Sequence, residues 1–192
     1  MDIFIRTYEY LRLGGIVMVP IILTSLFMWI LIIERLIYFR QKDDIDLDQI
    51  LKGNLPNVSK GVRSKVLTSF LKECTGRKEI DRNILEQCVM RERPAIRRHL
   101  TTISILVAIA PLLGLLGTVM GMITTFNVIA IFGTGNAKAM ANGISEALIT
   151  TQSGLTVAIP GLFMSNFLNQ QANRLENSLD RMVMELKRRI LL

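Results

Sequence analysis

The sequence predicts an all-α integral membrane protein. It has three transmembrane helices, its N-terminus outside and its C-terminus in the cytoplasm, with long helices extending into a cytoplasmic helical bundle. Three observations carry this. Half of the 192 residues are hydrophobic and mean hydropathy is +0.38, which is high for a domain that folds in water. The apolar residues gather in three uncharged runs. Lysine and arginine crowd the segments on one side of those runs and avoid the other.

The first run, residues 14–33, is twenty residues without a charge, closed by Glu34 and Arg35. A hydrocarbon core of ~30 Å needs about 20 helical residues, so residues 14–33 read as a first span and residues 1–13 as an outer N-terminus. A cleaved signal peptide is the competing reading. Against it stand the length of the run, Asp2 and Glu9 beside Arg6 and Arg12, and the lack of a small-x-small cleavage site. Residues 34–100 read as a cytoplasmic helical segment. An acidic stretch from Asp43 to Asp48 opens a helix, and Gly53-Asn54-Leu55-Pro56 breaks it. Residues 60–75 and 79–100 are helical by composition, with Ile80, Ile84 and Cys88 on one apolar line.

Between Glu79 and Phe132 only Pro94 and Pro111 interrupt the helical pattern. If continuous, this helix would span roughly 80 Å at ~1.5 Å per residue. Its upper part, residues 101–132, is the second span. Pro20, Pro111 and Pro160 are compatible with spans, because neighbouring groups in a bundle satisfy the freed carbonyls. Residues 133–142 form an outer loop, 143–168 the third span and 169–192 a cytoplasmic helical tail. In the tail Leu168, Leu175, Leu179, Met182, Leu186 and Ile190 make a helical seam. That seam packs either on the 79–100 helix of the same chain or on neighbouring subunits.

Two Lys/Arg precede the first span, fifteen lie between the first and second, one (Lys138) lies between the second and third, and five follow. By the positive-inside rule the middle segment and the tail are cytoplasmic. The net charge of +7 is therefore mostly a topology signal. Nucleic acid is not an expected partner, because Tyr38, Phe39 and Phe70 are the only aromatics between Glu34 and Leu100 and form no recognition motif. Two Cys and one His are too few for a zinc site or a disulfide framework, and both thiols are expected free. His99, beside Arg97 and Arg98, reads as an interfacial anchor, with proton sensing as the rival. No phosphate-binding loop, metal cluster or nucleophile–base spacing points to an enzyme, and no cofactor is expected.

Polar groups in lipid are costly, so their placement is informative. Gly114, Gly117, Thr118, Gly121 and Thr125 share a face of the second span at three- and four-residue steps. Glu146, Thr150, Ser153 and Val157 do so in the third, with Thr151, Gly154 and Ala158 alongside. One reading is a tight bundle in which Gly114, Gly117, Gly121 and Gly154 let helices approach. The other is a proton pathway lined by Thr118, Thr151, Thr150, Ser153, Glu146 and Thr125. No Asp, Lys or Arg lies at depth in any span, so a proton relay would need a titratable group from another subunit. Glu146 itself reads either as part of a helix start at Asn142-Gly143-Ile144-Ser145-Glu146, where the helix dipole favours a carboxylate, or as a charge at a pore mouth.

Two stretches carry a family resemblance. Residues 110–123, APLLGLLGTVMGMI, resemble the second-span signature of the MotA/TolQ/ExbB proton-channel family. Residues 143–160, GISEALITTQSGLTVAIP, resemble its third-span signature. The ExbB branch is the nearest and the TolQ branch next. The resemblance implies an inner-membrane, multi-pass homo-oligomer, a pentamer, whose second and third helices line a pore. Two copies of an ExbD-like single-span protein would fill that pore, each bringing a membrane Asp. It implies a motor driven by the proton motive force that energises a TonB-like protein for outer-membrane transport. The motif threonines carry over to Thr118 and Thr151, and the charged motif position to Glu146. Gln152 and Ser153 depart from the small apolar residues usual after the motif threonine, and the long extra N-terminal segment of some ExbB proteins is absent. A TolQ-like role in envelope maintenance and a non-conducting membrane scaffold are the alternatives. A MotA-like role fits less well, since that group typically has four spans.

Overall fold

A computed structural model describes residues 14–40 and 61–191. The expected helix opening at Asp43–Asp48 and the break at Gly53–Pro56 lie outside the described residues. Five α-helices follow in order: α1 Met18–Arg40, α2 Val62–Glu73, α3 Lys78–Arg97, α4 Leu100–Phe132 and α5 Ala137–Leu191, with a 3₁₀ turn at Gly133–Gly135 before α5. No strand occurs among the described residues. Three helical stretches are long and apolar enough to cross a membrane, and a third or less of each apolar window is buried within the chain (28%, 28% and 33%). Apolar side chains exposed on this scale call for lipid or other membrane helices as solvent.

The described chain forms two compact units. The first takes in residues up to Ile33 together with Thr101–Asn166. Here α4 and α5 pack antiparallel, with Gly114 beside Gly154 and Gly121 beside Gly143. Val17, Met18, Ile21 and Met28 are buried, and a Cβ on Gly161 of α5 would stand 2.7 Å from the Met28 sulfur of α1. Pro20 falls in the first turn of α1, where the N–H it lacks has no intrahelical acceptor anyway.

The second unit takes in residues Glu34–Leu100 and those from Phe167 onward. In it α2 and α3 form a hairpin. The Cys74 N–H donates to the Phe70 carbonyl at 2.9 Å, Gly76 turns the chain at φ +78°, and the Asp81 carboxylate accepts from the Thr75 N–H at 2.7 Å. The tail part of α5 packs on α3 in antiparallel register. Arg93 pairs with Asp180, Arg97 with Glu176, and Lys187 with Glu86. Of the two readings of the tail seam, the intrachain one has these contacts. Leu168, Leu179, Met182 and Leu186 are buried along it, together with Ala172 and Val183.

Three expectations are corrected. The α3 core line runs through Asp81, Leu85 and Cys88, whereas Ile80 is 41% exposed. Asp81 can be buried because Thr75 satisfies its carboxylate. The helical stretch from Glu79 to Phe132 is not continuous: it is interrupted at Arg98 and His99. His99 has φ +63°, the one positive-φ residue other than glycine among those described. The last helix starts at Ala137, where the Asn136 side chain accepts the Ala139 N–H at 3.1 Å. Asn142 is therefore not a helix start. Cys74 and Cys88 are free, and burial pushes the Cys88 thiol pKa up.

The Arg97–Glu176 fork predicts a pH dependence. The Arg97 hydrogen bond holds the Glu176 carboxyl below its ordinary 4.5, so its folded value lies under its unfolded one. The contribution is complete above about 4.5 and is lost as pH falls through the lower, folded value. Melting midpoints of the purified protein should drop on acidification through this window, with a shallower slope in Arg97→Ala. Equal slopes would remove the fork from the account.

Candidate functional site

The candidate residues lie in the first unit, and helix geometry sorts them. The seam between α4 and α5 runs through Ala110, Gly114, Gly117, Gly121 and Thr125 on one side, and Gly143, Ala147, Thr150 and Gly154 on the other. A Cβ on Gly121 would stand 2.7 Å from the Gly143 carbonyl oxygen, and one on Gly154 2.7 Å from that of Ala110. Backbones in such contact leave no space for a side chain, so the glycine face is a packing face. Gly114, Gly117, Gly121 and Gly154 all serve it.

Thr125 and Thr150 are sealed into this seam, 4% and 0% exposed. The Thr125 hydroxyl donates to the Gly121 carbonyl, and the Thr150 hydroxyl to those of Glu146 and Ala147, each at 3.0 Å. Glu146 and Ser153 point elsewhere. A Cβ on Gly15, in the turn before α1, would stand 1.8 Å from Glu146 Oε1. Ser153 and Val157 line a groove with Met18, Ile21, Ser25 and Trp29 of α1. Glu146 is the tenth residue of α5, too deep for the N-terminal dipole of its own helix, which acts within the first turn.

Thr118 and Thr151 remain. Each follows a seam residue, Gly117 or Thr150, by one position, which turns it about 100° out of the seam. Because the two helices are antiparallel, both threonines turn to the same flank, and both are half-buried. This flank is opposite the one that meets α1. The Thr118 hydroxyl donates to the Leu115 carbonyl at 2.7 Å, and the Thr151 hydroxyl to that of Ala147 at 2.9 Å. With its proton so engaged, each oxygen still has an acceptor lone pair free. It can accept from a protonated carboxyl in that state, and can donate to a carboxylate after rotating off the backbone. Sequence periodicity did not separate this pair from Thr125 and Thr150. The one-residue offset matters only once the seam register is known.

The six candidates fall in three places: two in the seam, two on the α1 side and two on the opposite flank. No group of three or more His, Cys, Asp or Glu that could hold a metal occurs among the described residues.

An antiparallel helix pair closed by a backbone-contact seam, in a chain with three helices long and apolar enough to cross a membrane, defines a helical membrane protein. The profile of the MotA/TolQ/ExbB proton channel family matches residues 57–181, and the chain belongs to that family. It is 32% identical over 168 residues to the putative biopolymer transport protein ExbB-like 3 of Synechocystis, covering 80% of each chain. It is 34% identical over 177 residues to ExbB-like 1 of the same organism, covering 83% of this chain and 69% of that one. It is 36% identical over 108 residues to the biopolymer transport protein ExbB of Xanthomonas campestris, covering 56% of this chain and 43% of that one.

Proposed function

We propose that this chain is the ring-forming subunit of an ExbB-type, proton-motive-force-driven motor of the bacterial inner membrane. In this reading the N-terminus is outside and the C-terminus cytoplasmic. Five copies surround two helices of an ExbD-like single-span protein, and the motor energises a TonB-like protein. It is not an enzyme. Family membership and relatives named biopolymer transport proteins support the general role. The observation that carries the site is the shared flank of Thr118 and Thr151, two half-buried hydroxyls turned to the same side of the helix pair. The chain supplies no carboxylate at mid-depth, so the titrating group comes from the partner helix. The threonines serve it as acceptors when it is protonated and as donors when it is ionised.

The test is proton flux into liposomes that hold this chain and its single-span partner, read with a pH-sensitive dye. A hydrogen bond to a charged group is worth about 1.5–3 kcal/mol, so Thr118→Val and Thr151→Val should each slow flux roughly tenfold to a hundredfold, with assembly intact. Thr→Ser at either position keeps the hydroxyl and should retain most of the flux. Unaltered flux in both valine variants defeats the assignment of the site. No flux from the wild-type complex favours the scaffold reading.

A further inference from the structure

We propose that Gly15 is the positioning residue for the Glu146 carboxylate: the turn before α1 is the seat that holds this outer acidic group in place. The proposal rests on the motor reading above. It adds that α1, outside the helix pair bearing the threonines, sets where the one carboxylate of the 143–160 signature sits.

Four observations converge. Gly15 has φ +63°, a left-handed conformation that favours glycine. The space where its side chain would lie is occupied by Glu146, with Oε1 at 1.8 Å and Cδ at 2.8 Å from an ideal Cβ. The neighbouring Gly14 packs on the same stretch of α5, since its Cβ would meet Ile149 Cγ2 at 3.4 Å. The turn leads into the N-terminus of α1, where the Met18 N–H donates to the Gly15 carbonyl at 3.3 Å, and the positive end of a helix favours an anion there. No hydrogen bond or ion pair reaches the Glu146 carboxylate among the described residues, and it is half-buried. The shape of the glycine turn limits where the carboxylate can sit.

A Cβ on Gly15 must displace the carboxylate. Shortening the acid by one methylene, as in Glu146→Asp, withdraws it from the same space. The experiment uses the full chain reconstituted with its single-span partner and compares wild type, Gly15→Ala, Glu146→Asp and the double variant. The readouts are proton flux across pH and melting of the purified protein. A misplaced reactive group costs about tenfold or more. Gly15→Ala should lose that much flux, and adding Glu146→Asp, which relieves the clash, should restore part of it. The backbone strain of alanine at this φ is common to both backgrounds and cancels in the melting cycle. The two substitutions should therefore be non-additive, with Gly15→Ala costing less in the Glu146→Asp protein. Unchanged flux in Gly15→Ala, failure of the second substitution to restore it, or additive melting shifts would each overturn the proposal. If wild-type vesicles carry no flux, the motor reading fails, and the melting cycle alone decides whether Gly15 seats Glu146.

Discussion

Replacing Gly121 or Gly154 by valine should abolish recovery of folded protein, and alanine at either position should lower the melting midpoint sharply. The reason is the nature of the obstacle. At Gly121 an added Cβ meets the Gly143 carbonyl oxygen at 2.7 Å and the Ala147 nitrogen at 2.8 Å; at Gly154 it meets the Ala110 carbonyl oxygen at 2.7 Å and Gly114 Cα at 3.1 Å. These are backbone atoms of a facing helix and cannot rotate away. The helices must separate, and a separation of even half an ångström forfeits a quarter or more of each dispersion contact along the seam. In lipid those contacts are the main attraction between helices, since the solvent is as apolar as the side chains. Overpacking a core by a methyl typically costs 1–3 kcal/mol; a seam closed on both sides by backbone belongs at or above the top of that range. Gly133 supplies the control. It has φ +66° but nothing within 4 Å of its Cβ position, so Gly133→Ala bears only backbone strain of about 1 kcal/mol. Gly117 offers a rescue. Its Cβ would strike the Thr150 side chain at 2.3 Å, so Gly117→Ala should recover when Thr150→Gly is added. Equal tolerance of alanine at Gly133, Gly121 and Gly154 would show that the seam does not hold the pair together.

A close-approach seam was legible in sequence as one of two readings of the glycine and threonine stripe, beside a proton pathway. So were the three apolar runs, since charge is excluded from a hydrocarbon span on energetic grounds alone. What the sequence did not separate was function within the stripe. Thr150 and Thr151 are adjacent and chemically identical, yet one is wholly buried and the other half-buried. Which one is which depends on the position of Gly117 across the seam, a tertiary fact. The apolar line of α3 was misread by one position because Asp81 looks like a surface residue until Thr75 is found bonded to it. The start of α5 was readable in principle: Asn136 after a glycine-rich turn is a stronger cap signal than Asn142. The break at Arg98 and His99 was not, because neither glycine nor proline marks it.

That break supports the second large effect: His99→Gly should stabilise the protein and His99→Val should destabilise it. A side chain at φ +63° places Cβ against the following carbonyl, at a cost of about 1–2 kcal/mol. Glycine removes that cost, less what it adds in unfolded-chain entropy, so the gain is about 1 kcal/mol or below. Valine is branched at Cβ and is a rarer outlier in this region than histidine, which is several-fold enriched there; its loss should reach about 2 kcal/mol or more. The conformation persists because something replaces the helical bond it breaks. In a continuous helix the Ala95 carbonyl would accept from the His99 N–H. Here the carbonyl accepts from Arg35 Nη1 at 3.1 Å. Arg35 is 2% exposed, its guanidinium lies 5.1 Å from the centroid of the Tyr38 ring, and its Nε and Nη2 have no hydrogen-bond partner. A cation at the C-terminal end of α3 is favoured by the helix dipole, and the ring adds to the attraction. Midpoints in the order glycine, histidine, valine would support a strained break held by tertiary contacts. A valine protein as stable as the wild type would mean that His99 does not hold this conformation.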